Sequence, residues 1–302
     1  MRFTIAQIEA FFWTAQLGSL SKAASRLHIA QPTISLRLKD LERALDVTLF
    51  QRSGRGLTLT PEGSFLVPRA AALLEEADRI TLQTDPDAIS GSIRVGFAEG
   101  FATICVPRLL EIVRRDYPLL KPEYIVSISY ELERELSDHQ LDLAVLVNPT
   151  GRHGIRLVPL GVQDTAWVAS TRWGLNTDIR PSDLYRLPIV SNPPRSAMYR
   201  QIKDWFATAG LEPERLDLCS SVAVIGHLVS SGVALGVLPA KMMDNDVRAG
   251  RVQILRSTPD LDHGRVYAGY AEGGLTGPLN AMLKSIQVTL ADMNYLWVEN
   301  AP

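Results

Sequence analysis

The residues with the clearest chemical purpose lie in the stretch AQPTISLRLKDL, positions 30–41. Ile34, Leu38, Leu41 and Leu45 recur at i, i+4, i+7 and i+11, one stripe of an α-helix. At 100° per residue the four cluster within about 40° of Ile34. The opposite side carries Pro32, Thr33, Leu36, Lys39, Asp40 and Arg43, with Ser35 and Arg37 on the flanks and Gln31 at the start. Such a helix offers short polar groups and unpaired backbone N–H donors at its front and long cations behind. That suits a first turn that enters a DNA major groove while the cations meet phosphates. Gln can bond adenine bidentately, and Thr can touch a thymine methyl. Taken alone, the same helix also reads as a surface helix with a solvated basic face.

The elements around this stretch favour the groove-reading role. Ile5, Ile8, Phe11, Phe12 and Ala15 repeat at helical spacing and predict a first helix over 4–16, stopped by Gly18. Ser19 or Ser21 can cap a second helix at about 21–27, whose Ala23 and Ala24 allow another helix to approach closely. After Leu45, VTLFQR and GLTLT are β-prone and flank the turn-rich Ser53-Gly54-Arg55-Gly56. They predict a hairpin whose tip Arg55 would reach a minor groove or backbone as a wing. Thr60 and Pro61 then suit the N-cap and first position of a long helix running to about 83. That helix has no core of its own, so a second copy of itself is its simplest partner.

Charge follows the same division. Residues 1–60 hold eight Lys and Arg against four acids, a surplus of four in a chain whose net charge is −2. A basic head on an acidic body is expected if only the head meets phosphates. The loop TDPDAISG at 84–91 reads as the hinge. Beyond it, strand and helix alternate: strands at 92–98, 124–130 and 141–147, helices at 105–118 and 132–140. A second run follows from about 163. This is the pattern of a parallel, doubly wound α/β sheet.

Other chemistries lack their signatures. The body shows no Gly-rich phosphate loop, nucleophile elbow or metal-ligand spacing, which argues against an enzyme and against a metal or cofactor. The five histidines (28, 139, 153, 227, 263) are scattered. Cys105 and Cys219 read as reduced, buried thiols. No run approaches the ~18 apolar residues of a membrane span, and the N-terminus lacks an uninterrupted apolar signal core. The expectation is a cytoplasmic protein without membrane contact.

Residues 19–63, SLSKAASRLHIAQPTISLRLKDLERALDVTLFQRSGRGLTLTPEG, resemble the winged helix-turn-helix of LysR-type transcriptional regulators. GSIRVGF (91–97), LLEIVRRDYP (109–118), LDLAVLV (141–147) and LVSSGVALGVLP (228–239) resemble the same family's effector domain. The resemblance covers essentially the whole chain. It implies a DNA-binding domain at 1–60, a dimerising linker helix at 61–87, a hinge at 88–91 and an effector-binding domain at 92–302. The last divides into two subdomains like a periplasmic binding protein, I at about 92–161 and 267–302, II at about 162–266. The implied partners are double-stranded promoter DNA, a small-molecule effector, further copies of the chain up to a homotetramer, and RNA polymerase. The implied DNA contacts are Ser21, Gln31, Pro32, Thr33, Ser35, Leu36, Arg37, Lys39, Arg43, Arg52 and Arg55. One position departs from the pattern: many members carry Arg directly after the Ser of this helix, where this chain has Leu36. A DNA-binding protein that ignores small molecules is the alternative function.

The resemblance also implies a ligand cleft at the carboxyl ends of the strands. Candidates by position are Glu99, Gly100, Phe101, Ser129, Tyr130, Asn148, Ser191, Asn192, Ser221 and Val222. Family members often place Ser or Thr near position 99 to bind an anionic effector. A carboxylate there would repel one. Glu99 has three readings: it binds a cationic or hydroxyl group of the ligand, it pairs with Arg195, or it caps the helix. The expectation is an effector other than a plain small dicarboxylate.

Overall fold

The computed structural model describes residues 3–53, 56–84, 89–272 and 276–297. They form two compact units, Met1–Ile89 with Glu272–Asn280, and Ser90–Ala271 with Ala281–Pro302.

The first unit runs α1 (Ile5–Leu17), α2 (Leu20–Arg26), α3 (Gln31–Leu45), β1 (Phe50–Ser53), β2 (Gly56–Leu59) and α4 (Pro61–Thr84). Thr4 and Gln7 bond each other's backbone N–H in a capping box that starts α1. Gly18, at φ +60°, ends it. Ser19, not Ser21, caps α2, accepting from Lys22 N at 3.4 Å. Ile34, Leu38 and Leu41 are buried on α3 and pack with Ile8, Phe11, Ala23 and Leu49, while Leu45 packs at the edge. Ala23 is fully buried, so its small side chain lets the helices meet. β1 and β2 pair antiparallel from Phe50–Leu59 to Ser53–Gly56. Glu42 tethers this hairpin to α3: its Oε1 accepts from Leu49 N at 2.8 Å and Phe50 N at 3.3 Å. Thr60 Oγ1 accepts from Gly63 N at 3.0 Å and donates to Thr48 O at 2.7 Å. A Cβ at position 63 would collide with Leu49 O and the Leu59 side chain. Only glycine lets α4 start this close to the wing.

Glu9 of α1 is a carboxyl of this unit whose protonation folding shifts. Burial pushes its carboxyl above the ordinary value, and nearby Arg37 and Arg26 offset only part of that. The native state therefore holds the Glu9 proton to a higher pH than the unfolded chain does. Above the unfolded value near 4.5 the group opposes folding; the penalty grows as pH rises to the native value and stays constant beyond it. Glu9→Gln should raise the melting temperature at pH 7 relative to the parent protein. The gap should close below about pH 4, as thermal melts of both proteins across that range would show.

Among the described residues the second unit contains a five-stranded sheet, a four-stranded sheet and a two-stranded pair. The first lobe begins β3 (Gly91–Ala98), α5 (Glu99–Asp116), β4 (Leu120–Ser127), α6 (Ser129–Ser137), β5 (Leu143–Val147) and β6 (Ile155–Gln163). The second lobe is β7 (Thr165–Ser170), β8 (Asp178–Ile179), α7 (Pro181–Leu184), β9 (Ile189–Ser191), α8 (Ala197–Ala207), β10 (Leu216–Leu218), α9 (Val222–Ser230), β11 (Gly236–Pro239), α10 (Asp244–Arg248) and β12 (Val252–Ser257). The chain then returns through β13 (Gly264–Ala271), with α11 (Gly277–Met293) after it. The first sheet has the order β4-β3-β5-β13-β6, and the second β11-β7-β12-β8 with β9 and β10 paired beside it.

These sheets are mixed rather than wholly parallel. β3, β4 and β5 are parallel, as the strand–helix alternation predicts. β13 runs antiparallel to both β5 and β6; the chain leaves the lobe along β6 and re-enters it along β13. β7 is antiparallel to β11 and β12. The second lobe centres on Trp167, Trp205 and Phe206, all buried, with ring centroids 5.1–5.9 Å apart. α5 begins at Glu99 rather than at 105, directly on the end of β3. Likewise β4 ends at Ser127, so Ser129 and Tyr130 open α6 instead of closing a strand.

Candidate DNA-reading helix and effector cavity

On α3, Gln31, Pro32, Leu36, Lys39 and Arg43 are exposed, and Thr33, Ser35 and Arg37 are half-buried. The N-cap residue Ala30 supplies no side-chain acceptor, and Pro32 has no N–H, so the front of the helix is uncapped by any side chain. Leu36 is 59% exposed, an isolated large apolar group on a polar face. Arg43 is held by Asp40 at 3.0 Å, an exposed i,i+3 pair. Arg37 lies close enough to Glu9 for its charge to favour the ionised carboxylate. Ser21 is exposed on α2. Arg52 lies in β1, and Arg55 falls outside the described residues.

The second unit holds a cavity of about 480 Å³. The ends of β3, β4 and β5 and the start of α5 form one wall. The opposite wall comes from the loop after β9, the first turns of α8 and α9, and Pro239. Gln163 and Thr165, at the outgoing crossover, lie between them. The volume falls within the ~300–1,000 Å³ typical of small-molecule sites. Of the residues expected from sequence, Glu99, Gly100, Ser129, Asn192 and Val222 line it. Ser129 Oγ is already engaged, accepting from Val147 N at 2.8 Å.

The other expected residues serve the frame. Phe101 is core: it stacks on Phe97 at 5.3 Å and meets Tyr295 edge-on at 5.8 Å. Because α5 starts at 99, two further steps of 100° turn position 101 under the sheet. Tyr130 lies outside the lining and stacks with two guanidiniums, Arg152 at 5.1 Å and Arg195 at 4.8 Å. Asn148 sits in a turn at φ +47°, and its Oδ1 accepts from Arg265 N at 2.8 Å. Ser191 is buried beneath the lining. Ser221 caps α9, accepting from Val224 N at 3.3 Å. Sequence reasoning missed Gln163, Thr165, Ser196 and Gln201.

Glu99 caps a helix, as one of its three readings has it, but the helix is α9 rather than its own. Its Oε1 accepts from Ser221 Oγ at 2.8 Å and Ala223 N at 3.3 Å, and its Oε2 from Val222 N at 2.6 Å. The carboxylate of one lobe thus caps a helix of the other. Arg195 is occupied by Tyr130 instead. Of the two thiols expected to be buried, Cys105 is, whereas Cys219 is only half-buried and borders this network. Burial pushes Cys105 up to about 12, so it stays protonated at neutral pH, while Cys219 Sγ donates to Ser221 O. Among the described residues no His, Cys, Asp and Glu group could hold a metal, and no helix is long and apolar enough to cross a membrane.

Residues 5–64 match the family described as "Bacterial regulatory helix-turn-helix protein, lysR family", and residues 86–290 match "LysR substrate binding domain". The chain belongs to the LysR family. It is 29% identical over 257 residues to the transcriptional regulator BbuR of Bordetella bronchiseptica, covering 84% of this chain and 79% of that protein. It is also 29% identical over 238 residues to the nitrogen assimilation regulatory protein nac of Escherichia coli, with 77% of each covered. Its fold resembles full-length BenM (TM-score 0.58, 19% identity, 99% and 100% covered). HinK from Pseudomonas aeruginosa is similar (TM-score 0.56, 24% identity, 95% and 98% covered). This LysR-family protein is a ligand-responsive, DNA-binding transcriptional regulator, with a helix-turn-helix and an effector-binding α/β domain. Regulators of this family bind DNA and oligomerise.

Proposed function

We propose that α3 reads promoter DNA in the major groove and that the 480 Å³ cavity receives the effector. The observation that carries the DNA reading is the exposed row Gln31, Pro32, Leu36, Lys39 and Arg43, opposite the buried stripe of α3. Gln31 and Thr33 meet base edges, and Lys39, Arg43 and the wing arginines Arg52 and Arg55 meet phosphates. Ser21, Ser35 and Arg37 flank the same contact. Residues 1–60 form the DNA-binding domain and 61–87 the dimerising linker, with 88–91 as hinge and 92–302 as the effector domain. Exposed Phe65 and Leu73 on α4 support pairing with a second copy. The assembly is a homotetramer acting in the cytoplasm, with RNA polymerase as a further partner.

Gel shifts of the full chain on DNA upstream of its own gene test this reading. Binding should weaken steeply with salt, as expected when several phosphates are neutralised. Lys39→Ala should lower the slope of log affinity against log salt by about one. An unchanged slope would remove Lys39 from the interface.

A further inference from the structure

The cavity's own groups specify the chemistry of what enters it. Glu99 is the one ionisable side chain among its lining residues; no Lys, Arg or His is there to meet an anion. The natural anion seat, the N-terminus of α9, is filled by the Glu99 carboxylate through Ser221 Oγ, Val222 N and Ala223 N. An incoming carboxylate finds its donors taken and a like charge beside them.

The remaining polar groups are uncharged: the amides of Asn192, Gln163 and Gln201, and serine and threonine hydroxyls that can both donate and accept. Asn192 is 1% exposed, and Gln163 and Gln201 are each 5% exposed. Asn192 Oδ1, Gln163 Oε1 and Gln201 Oε1 are matched by no protein donor. Two of these amides have their orientation fixed by carbonyls, which can only accept. Asn192 Nδ2 donates to Cys219 O at 3.1 Å, and Gln201 Nε2 donates to Asp262 O and, at 2.8 Å, to Thr165 Oγ1. Their oxygens lie on the far side of each amide from those carbonyls and are themselves buried. Val126, Ile128, Val147, Met198, Val222 and Pro239 supply an apolar enclosure.

We infer that the effector is a largely apolar molecule that carries no carboxylate, an uncharged or cationic compound such as an amide or an amine. This rests on the reading of the cavity as the effector site. Matched compounds on one skeleton test it: phenylacetamide, phenethylamine and phenylacetate, titrated into the full chain by calorimetry. The amide or the amine should bind about tenfold or more tighter than phenylacetate. In Glu99→Ala the seat on α9 is vacated, so phenylacetate should gain about tenfold and acetate should raise the melting temperature. Phenylacetate binding the parent protein as tightly as the amide and the amine, with competition between them, would overturn the ligand class while leaving the cavity as the effector site. If no compound binds the parent and Glu99→Ala gains no anion affinity, the cavity reading fails with it. Gain of phenylacetate by Glu99→Ala alone supports the exclusion of carboxylates.

Discussion

Replacing Ile34 with alanine is expected to cost the DNA-binding unit about 2–5 kcal/mol, the usual range for emptying a fully enclosed isoleucine site. Ile34 is fully buried, one residue after the proposed base-contacting Thr33, in the cluster with Phe11, Ala23, Leu38 and Leu41. The loss is a large fraction of the ~5–15 kcal/mol that stabilises a typical domain. It also removes the contact that fixes the front of α3 against the earlier helices, so Gln31 and Thr33 lose their common orientation. Operator affinity should fall by more than tenfold, whereas ligand binding by the effector domain should stay as it is. Urea unfolding together with DNA and ligand titrations would measure this. A variant that retains both its unfolding midpoint and its operator affinity would show that the stripe does not position the reading helix.

The DNA-binding unit was legible because each of its signals is local. One 3.6-residue period placed Ile34, Leu38 and Leu41 in the core, Gly18 and Thr60 marked ends, and Pro61 opened α4. The tether from Glu42 to the wing spans seven and eight residues and depends on the folded turn, so no periodicity announces it. In the effector domain, strand and helix order was readable but their junctions were not. Pro107 suits a helix start, yet it stands inside α5, which already began at Glu99. That six-residue difference moved Phe101 from an expected cleft position to the core.

The cavity was only half legible, for a related reason. Residues at the ends of β3, β4 and β5 follow from the rule that ligands gather at carboxyl ends of strands. Gln163, Thr165 and Gln201 come from a crossover and a helix of the other lobe, and meet only once both lobes are folded. A glutamine ending β6 after the apolar run 157–162 was a usable signal at 163. Glu99 shows the limit most clearly. Its partners, Ser221, Val222 and Ala223, lie 122–124 residues away, beyond any sequence-local pattern.

Leu36 is where changing one side chain should alter function without altering the fold. At 59% exposure it contributes little to the core, and surface substitutions of this kind usually shift stability by less than about 0.5 kcal/mol. In the groove it can offer only apolar contact, of the kind that prefers a thymine methyl. Arginine at the same position could bond the O6 and N7 of guanine, and a good bidentate pair discriminates by about 1–3 kcal/mol. Leu36→Arg should therefore redirect preference at one operator position toward guanine, by about ten- to a hundredfold, while the melting temperature holds. Selecting sites from randomised DNA with both proteins would read the change directly. Identical selected sites would place Leu36 outside base contact, and the operator preference would then rest on Gln31 and Thr33 at the front of α3.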